Sequence, residues 1–169
     1  CTPFEVEFHN ASTTGSTYYW DFGDGADTIT TDLNSVSHVF RNDDFVNTTN
    51  FNVTLRVVNT QGCSDNITRT IMVYPAVRAE FTMDINEGCH PLKVDFTNST
   101  SGGFTYLWDF GDGTTSSSTS PGHVFNNFTD VPVTRQIRLI ATSRFNCTSE
   151  FSAEVTIHPR PKARFETDR

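Results

Sequence analysis

Basic residues are scarce in this chain, and so are helix formers and long apolar runs. Lys and Arg number 12 against 20 Asp and Glu, a formal net charge of -8. With no basic cluster, there is no surface suited to tracking a nucleic-acid backbone. No stretch approaches 18 consecutive apolar residues, so the sequence holds no candidate membrane-spanning helix. It contains no signal-peptide pattern either. Ala, Leu and Lys are sparse and no apolar stripe recurs at helical spacing, which argues against α-structure. The five His do not cluster with the four Cys. No nucleophile–base pair, cofactor loop or metal-ligand set is legible, so neither catalytic residues nor a cofactor are expected.

What the chain has instead is Phe, Ser, Thr and Asn. β-Branched and aromatic residues favour strands. Phe4, Val6 and Phe8 alternate with Glu5, Glu7 and His9. Val53, Leu55 and Val57 alternate with Asn52, Thr54 and Arg56, and Ile137, Leu139 and Ala141 continue the pattern. Period-2 alternation with one polar face indicates half-buried antiparallel strands. Several short strands separated by Gly, Asn, Asp and Ser indicate an all-β sandwich.

The sequence repeats itself. "CTPFEVEFHNAS" at 1–12 returns as "CHPLKVDFTNST" at 89–100, and Trp20 returns as Trp108 at the same offset of 88. "HVF" at 38–40 returns at 123–125, Cys63 as Cys147, and "YPAVRAEF" at 74–81 as "HPRPKARF" at 158–165. The chain therefore holds two units of similar length, 1–75 and 76–159, followed by a segment at 160–169. Strands in the second unit are expected at 77–84, 92–98, 104–110, 114–118, 122–126, 133–143 and 149–157.

Each unit carries "WDFGDG". "DFG" also occurs in protein kinases, but the glycine loop, strand lysine and catalytic loop of those enzymes are missing. The Asp and Gly spacing does not match a helix–loop–helix calcium site. A looser calcium site from Asp21, Asp24 and Asp27 loses one carboxylate in the second unit, where Thr115 stands in place of Asp27. The architectural reading is that Trp20 and Trp108 fill the middle of each sandwich, with Phe22 and Phe110 on the same face. Gly-Asp-Gly then turns the chain. Asp21 and Asp109 are expected to accept backbone N–H bonds and pin the turn with Asp24 and Asp112, and His38 and His123 to bond into the same corner.

"WDFGDG", a Ser/Thr-rich stretch, "HVF", "VTLRVVN" and "ITRTIMVYP", in that order, resemble the polycystic kidney disease (PKD) domain. The resemblance covers nearly the whole chain. It implies two tandem immunoglobulin-like sandwiches, non-enzymatic and extracellular, of the kind used as spacers, adhesive stalks or accessory modules. The paired cysteines resemble those in large surface proteins of Bacteroidota. Two function classes remain: a structural filament or stalk element, or a segment of a carbohydrate- or protein-binding adhesin. A binder needs an exposed aromatic platform, for which Phe45, Tyr18, Phe104 and Phe128 are the candidates.

Seven Asn-x-Ser/Thr sequons occur, at Asn10, Asn47, Asn52, Asn66, Asn98, Asn127 and Asn146. With 13 Asn and 40 Ser plus Thr in 169 residues, about three would arise by chance. Covalent glycans are therefore an expectation.

The units are out of phase. "VRAEFTMD" at 77–84 precedes Cys89 as a first strand, Cys1 has no such strand before it, and "KARFETDR" at 162–169 repeats the pattern with no unit after it. The 160–169 segment is thus a candidate donor strand, with Ala163 and Phe165 facing an acceptor core in another copy. Head-to-tail contacts of that kind build a filament. The rival reading is a piece of a long covalent array. Cysteine pairing within a unit, Cys1–Cys63 or Cys89–Cys147, conflicts with immunoglobulin-like topology. There the two positions lie at opposite ends of a strand, roughly 20 Å apart, and a disulfide needs Cα atoms within about 7 Å. The expected pairs are Cys1–Cys147 within the chain and Cys63–Cys89 across copies.

Overall fold

A computed structural model describes residues 1–168. The chain is all-β and forms two compact units, Cys1–Ala76 and Val77–Arg169. Each has its own core.

Unit one contains β1 (Phe4–Phe8), β2 (Thr17–Asp21), β3 (Asp27–Thr30), β4 (Val36–Phe40), β5 (Thr49–Val58) and β6 (Ser64–Val73). β3, β2, β5 and β6 make one antiparallel sheet; β1 and β4 make the facing one. Trp20, Phe22, Phe40, Val53 and Leu55 are buried between them. The strands form where β-branched and aromatic residues alternate with Asn, Thr and Arg, so one face can be apolar while the other stays wet.

Unit two contains β7 (Phe81–Met83), β8 (Glu87–Cys89), β9 (Leu92–Asn98), β10 (Thr105–Asp109), β11 (Thr115–Ser116), β12 (Gly122–Phe125), β13 (Val133–Thr142) and β14 (Thr148–His158). Its sheets run β12-β9-β7 and β11-β10-β13-β14-β8. β9 to β14 repeat β1 to β6. β7 and β8 have no counterpart in unit one among the described residues.

The structure departs from the sequence expectations at three places. The first strand expected over 77–84 forms only at Phe81–Met83, because the chain before it meets its neighbour in a single bridge, Arg78 with Ser101. β8 is an additional strand. It pairs parallel to the end of β14 through three residues, Glu-Gly-Cys, which carry no alternation to read. Tyr18 is buried rather than a platform; its hydroxyl donates to the Gly15 carbonyl at 3.1 Å, and Tyr19 next to it is the exposed ring.

Candidate functional site: an open strand groove in unit one

The filled version of the site is in unit two. There β7 pairs antiparallel with β9, placing Phe81 opposite Asn98 and Met83 opposite Phe96. Phe81 packs on Trp108 (ring centroids 4.9 Å), Phe151 (5.1 Å) and Phe96 (5.9 Å). Ala79 and Phe81 are buried with the core.

In unit one the same place is a groove. β1 pairs with β4 on one edge, and no described strand pairs with its other edge. A groove of about 920 Å³ is lined by Phe8, Trp20, Val53, Leu55, Val57 and Ile67, among others. These are the repeat counterparts of Phe96, Trp108, Ile137, Leu139, Ala141 and Phe151. The groove is therefore the position that β7 occupies in unit two. β1 is correspondingly less covered than its counterpart: Phe4 is 39% exposed where Leu92 is 7%. Val6 and Phe8 are half-buried, whereas Val94 and Phe96 are fully buried. Trp20 Nε1 is buried without a hydrogen-bond partner among the described residues, while Trp108 Nε1 donates to the Ser118 carbonyl at 2.9 Å.

Residues 159–168 adopt no strand. Phe165 is 88% exposed, and Ala163 is exposed as well. Arg169 lies outside the described residues. Thus the groove and the segment with the pattern of β7 are both unfilled within the described chain.

The "WDFGDG" motif builds the same corner twice. Asp21 Oδ1 accepts the Gly23 N–H at 2.9 Å, and Asp109 Oδ1 accepts that of Gly111 at 2.9 Å. Asp24 Oδ1 takes the Ala26 N–H, and Asp112 Oδ1 takes that of Thr114. His38 Nε2 lies 2.7 Å from Asp24 Oδ2, and His123 Nε2 lies 2.7 Å from Asp112 Oδ2. Each imidazole stacks on a core phenylalanine, His38 on Phe22 at 4.0 Å and His123 on Phe110 at 4.1 Å. Burial pushes the Asp24 carboxyl up, but hydrogen bonds from His38 and the backbone outweigh it and hold the group below its usual range. Asp112 is likewise lowered, against burial, by the Thr114 hydroxyl and His123. Among the described residues, no group of three or more His, Cys, Asp or Glu is placed to hold a metal. No described helix is long and apolar enough to cross a membrane.

The cysteines divide in two. Cys1 and Cys147 are each in the disulfide state. Cys63 and Cys89 are exposed free thiols. Within unit two, Cys147 immediately precedes β14 while Cys89 is in register with His158 at its far end. Eleven strand residues separate the two positions by more than ~30 Å.

The sequons are not equivalent. Asn127 is 3% exposed, and its Nδ2 donates to the carbonyls of Val131 and Ile157, both at 2.8 Å. Both hydrogens of that nitrogen are engaged and the residue is buried, so in the folded unit Asn127 clamps two carbonyls. Asn42, its counterpart after the first "HVF", bonds the Asn47 and Val73 carbonyls in the same way. The recurrence of Asn two residues after each "HVF" is the sequence signal for this role. Asn10 and Asn98 have buried Nδ2 atoms without partners. Asn47, Asn52, Asn66 and Asn146 are exposed. Of the candidate platform rings, Phe45, Phe104 and Phe128 are exposed, and Arg144 lies over Phe104 at 4.7 Å.

Family similarity covers both units. The PKD domain family model matches residues 1–74 and again residues 72–157. The chain belongs to the PKD domain family. Among solved structures, it is similar to the PKD1 domain of the metalloprotease PrtV from Vibrio cholerae, with 23% identity over 49% of this chain and 98% of that one and a TM-score of 0.41. The PKD1 domain of Epp from Vibrio anguillarum is similar at 21% identity, 50% and 96% coverage and a TM-score of 0.41. A structure described as concerning promiscuous carbohydrate-binding modules of the β-sandwich superfamily matches at 26% identity, covering 50% of this chain and 35% of that one, with a TM-score of 0.44. None of the curated proteins compared with it matches. Each PKD unit thus spans about one family domain, and the open groove is a departure of the first unit from the second.

Proposed function

We propose that this tandem PKD chain is a non-enzymatic extracellular structural protein whose copies join head to tail. In this reading, residues 161–168 of one copy fill the groove of unit one in the next. The observation that carries it is the match between groove and segment. Pro161 to Asp168 align with Val77 to Asp84, placing Ala163 where Ala79 is buried and Phe165 where Phe81 is buried. In the register of β7 on β9, Phe165 faces Asn10 and Glu166 faces His9 across the pair. β-Augmentation satisfies the free edge of β1 through main-chain bonds, and the alternate side chains supply selectivity. Because donor and acceptor are different surfaces, the contact repeats without closing and gives a filament. Cys1 is expected to join Cys147 within each copy.

The test is electron microscopy and sedimentation of the purified chain beside a variant lacking residues 160–169. Fibres from the full chain and monomers from the truncated one support the reading. A chain of residues 1–169 that stays monomeric at every concentration overturns it. Native material whose groove is filled by residues preceding Cys1 of the same polypeptide would instead identify a covalent array within a surface adhesin.

A further inference from the structure

The two free thiols lie at the two ends of the joint that strand donation creates. We propose, on the basis of that head-to-tail reading, that Cys63 of one copy and Cys89 of the next form an intermolecular disulfide that locks the donated strand in its groove.

On the acceptor side, Cys63 lines the groove and closes the turn before β6, with the Asn59 N–H donating to its carbonyl at 2.9 Å. Its counterpart Cys147 closes the same turn before β14, through a Ser143 N–H bond of 2.8 Å. In unit two the first strand arrives at this turn: the Ala79 N–H donates to Ser149 Oγ at 3.1 Å, two residues after Cys147. The counterparts of that pair are Ala163 and Asp65. A donated strand in the β7 register therefore enters the groove two residues from Cys63.

The donor side complements it. Cys89 ends β8 in register with His158, and the His90 N–H donates to the His158 carbonyl at 3.0 Å. His158 is also the last residue of β14, where the chain departs toward the donor segment. Ala163 lies only five positions after His158, a reach of at most ~18 Å. Cys89 thus stands at the root of a short tether whose far end arrives beside Cys63.

The repeat supplies an independent precedent. The counterpart of Cys89 is Cys1 and that of Cys63 is Cys147, and both are disulfide-bonded. The tether from Tyr74 to Ala79 has the same five-residue length. The two free thiols thus occupy the repeat positions whose counterparts are both oxidised.

The oxidant is a low-molecular-weight disulfide such as glutathione disulfide. One protein thiolate attacks it, forming a mixed disulfide and releasing one small thiol. The second thiolate attacks the mixed disulfide, forming the Cys63–Cys89 bond and releasing the other. Two protein thiols are oxidised, one small disulfide is reduced to two thiols, and the two protons pass to the departing thiolates.

The experiment incubates the full chain in a glutathione redox buffer and follows it by non-reducing electrophoresis, peptide mapping and microscopy. A covalent ladder whose linked peptides are Cys63–Cys89 supports the lock. Cys63→Ser and Cys89→Ser should each abolish the ladder while fibres persist. Phe165→Asp should lower the rate of Cys63–Cys89 bond formation ~1,000-fold at micromolar chain, because docking raises the effective thiol concentration to the millimolar range. Fibres without that peptide, or ladders of Cys63–Cys63 and Cys89–Cys89, overturn the lock and leave donation standing. Wild-type chain that forms neither fibres nor the Cys63–Cys89 peptide overturns both.

Discussion

Phe81 lies against Trp108 with ring centroids 4.9 Å apart, and Phe165, its counterpart 84 residues later, is 88% exposed. One period of the repeat thus ends with the same aromatic in two opposite environments.

Truncating that aromatic should break assembly. Phe to Ala at a buried site costs about 3–5 kcal/mol, and each ~1.4 kcal/mol is tenfold in affinity. Phe165→Ala is therefore expected to raise the critical concentration for assembly by about a hundredfold or more, read by sedimentation. A peptide spanning 160–169 should raise the melting temperature of the chain lacking that segment, since it binds only the folded groove. An unchanged melting temperature at saturating peptide counts against the groove as its site.

The two glycines of each turn should respond differently to alanine. Gly23 has φ +75°, and a Cβ there would lie 2.6 Å from the Asn52 carbonyl oxygen; Gly111 has φ +70° with the Gln136 carbonyl at 2.5 Å. Gly25 also has positive φ, but open space around it. Backbone cannot step aside as a flexible side chain can, so Gly23→Ala should cost clearly more than Gly25→Ala, where only the left-handed strain of about 1–2 kcal/mol applies. Denaturant melts of the two variants measure the difference.

Acid should loosen both turn corners. Asp24 and Asp112 have folded pKa values below the ordinary carboxylate value. A depressed acid stabilises the fold above its unfolded pKa, about 3.9, and the contribution is lost as pH falls through the lower folded value. Melting temperature should therefore decline below about pH 4, and the decline should be shallower in Asp24→Asn combined with Asp112→Asn. Equal acid slopes for the double variant and the parent would place the acid sensitivity in other groups.

If the chain carries N-linked glycans, intact mass and glycopeptide mapping should find them at Asn47, Asn52, Asn66 or Asn146 and not at Asn127. Asn127→Ala should destabilise by about 1–3 kcal/mol, since it removes the side-chain donor to the Ile157 carbonyl and leaves that of Val131 to the Thr129 hydroxyl. Asn66→Ala, at an exposed position, should fall within about 0.5 kcal/mol of the parent. A glycan on Asn127 would require its clamp on Val131 and Ile157 to be open.

The sequence by itself determined the class, the repeat and the motif. Alternation along β5 and β13 shows which face is buried, because successive side chains in a strand point to opposite sides. The double occurrence of "WDFGDG" marks a turn that each unit needs once, and the PKD resemblance rests on its order with "HVF". Comparing Phe81 with Phe165 also locates the segment that repeats the pattern of β7, since self-similarity needs no coordinates.

Only the tertiary structure decided what those residues meet. β8 could not be read, because three residues of parallel pairing leave no periodic trace and depend wholly on β14 being beside them. Tyr18 shares the strand parity of Trp20 and is buried with it, whereas Tyr19 points to the other face. Asn127 reads as a sequon until the Val131 and Ile157 carbonyls are seen to take both its hydrogens. Above all, the gap beside β1 became a groove lined by Trp20 and Ile67, because its walls come from strands far apart in sequence that only folding brings together.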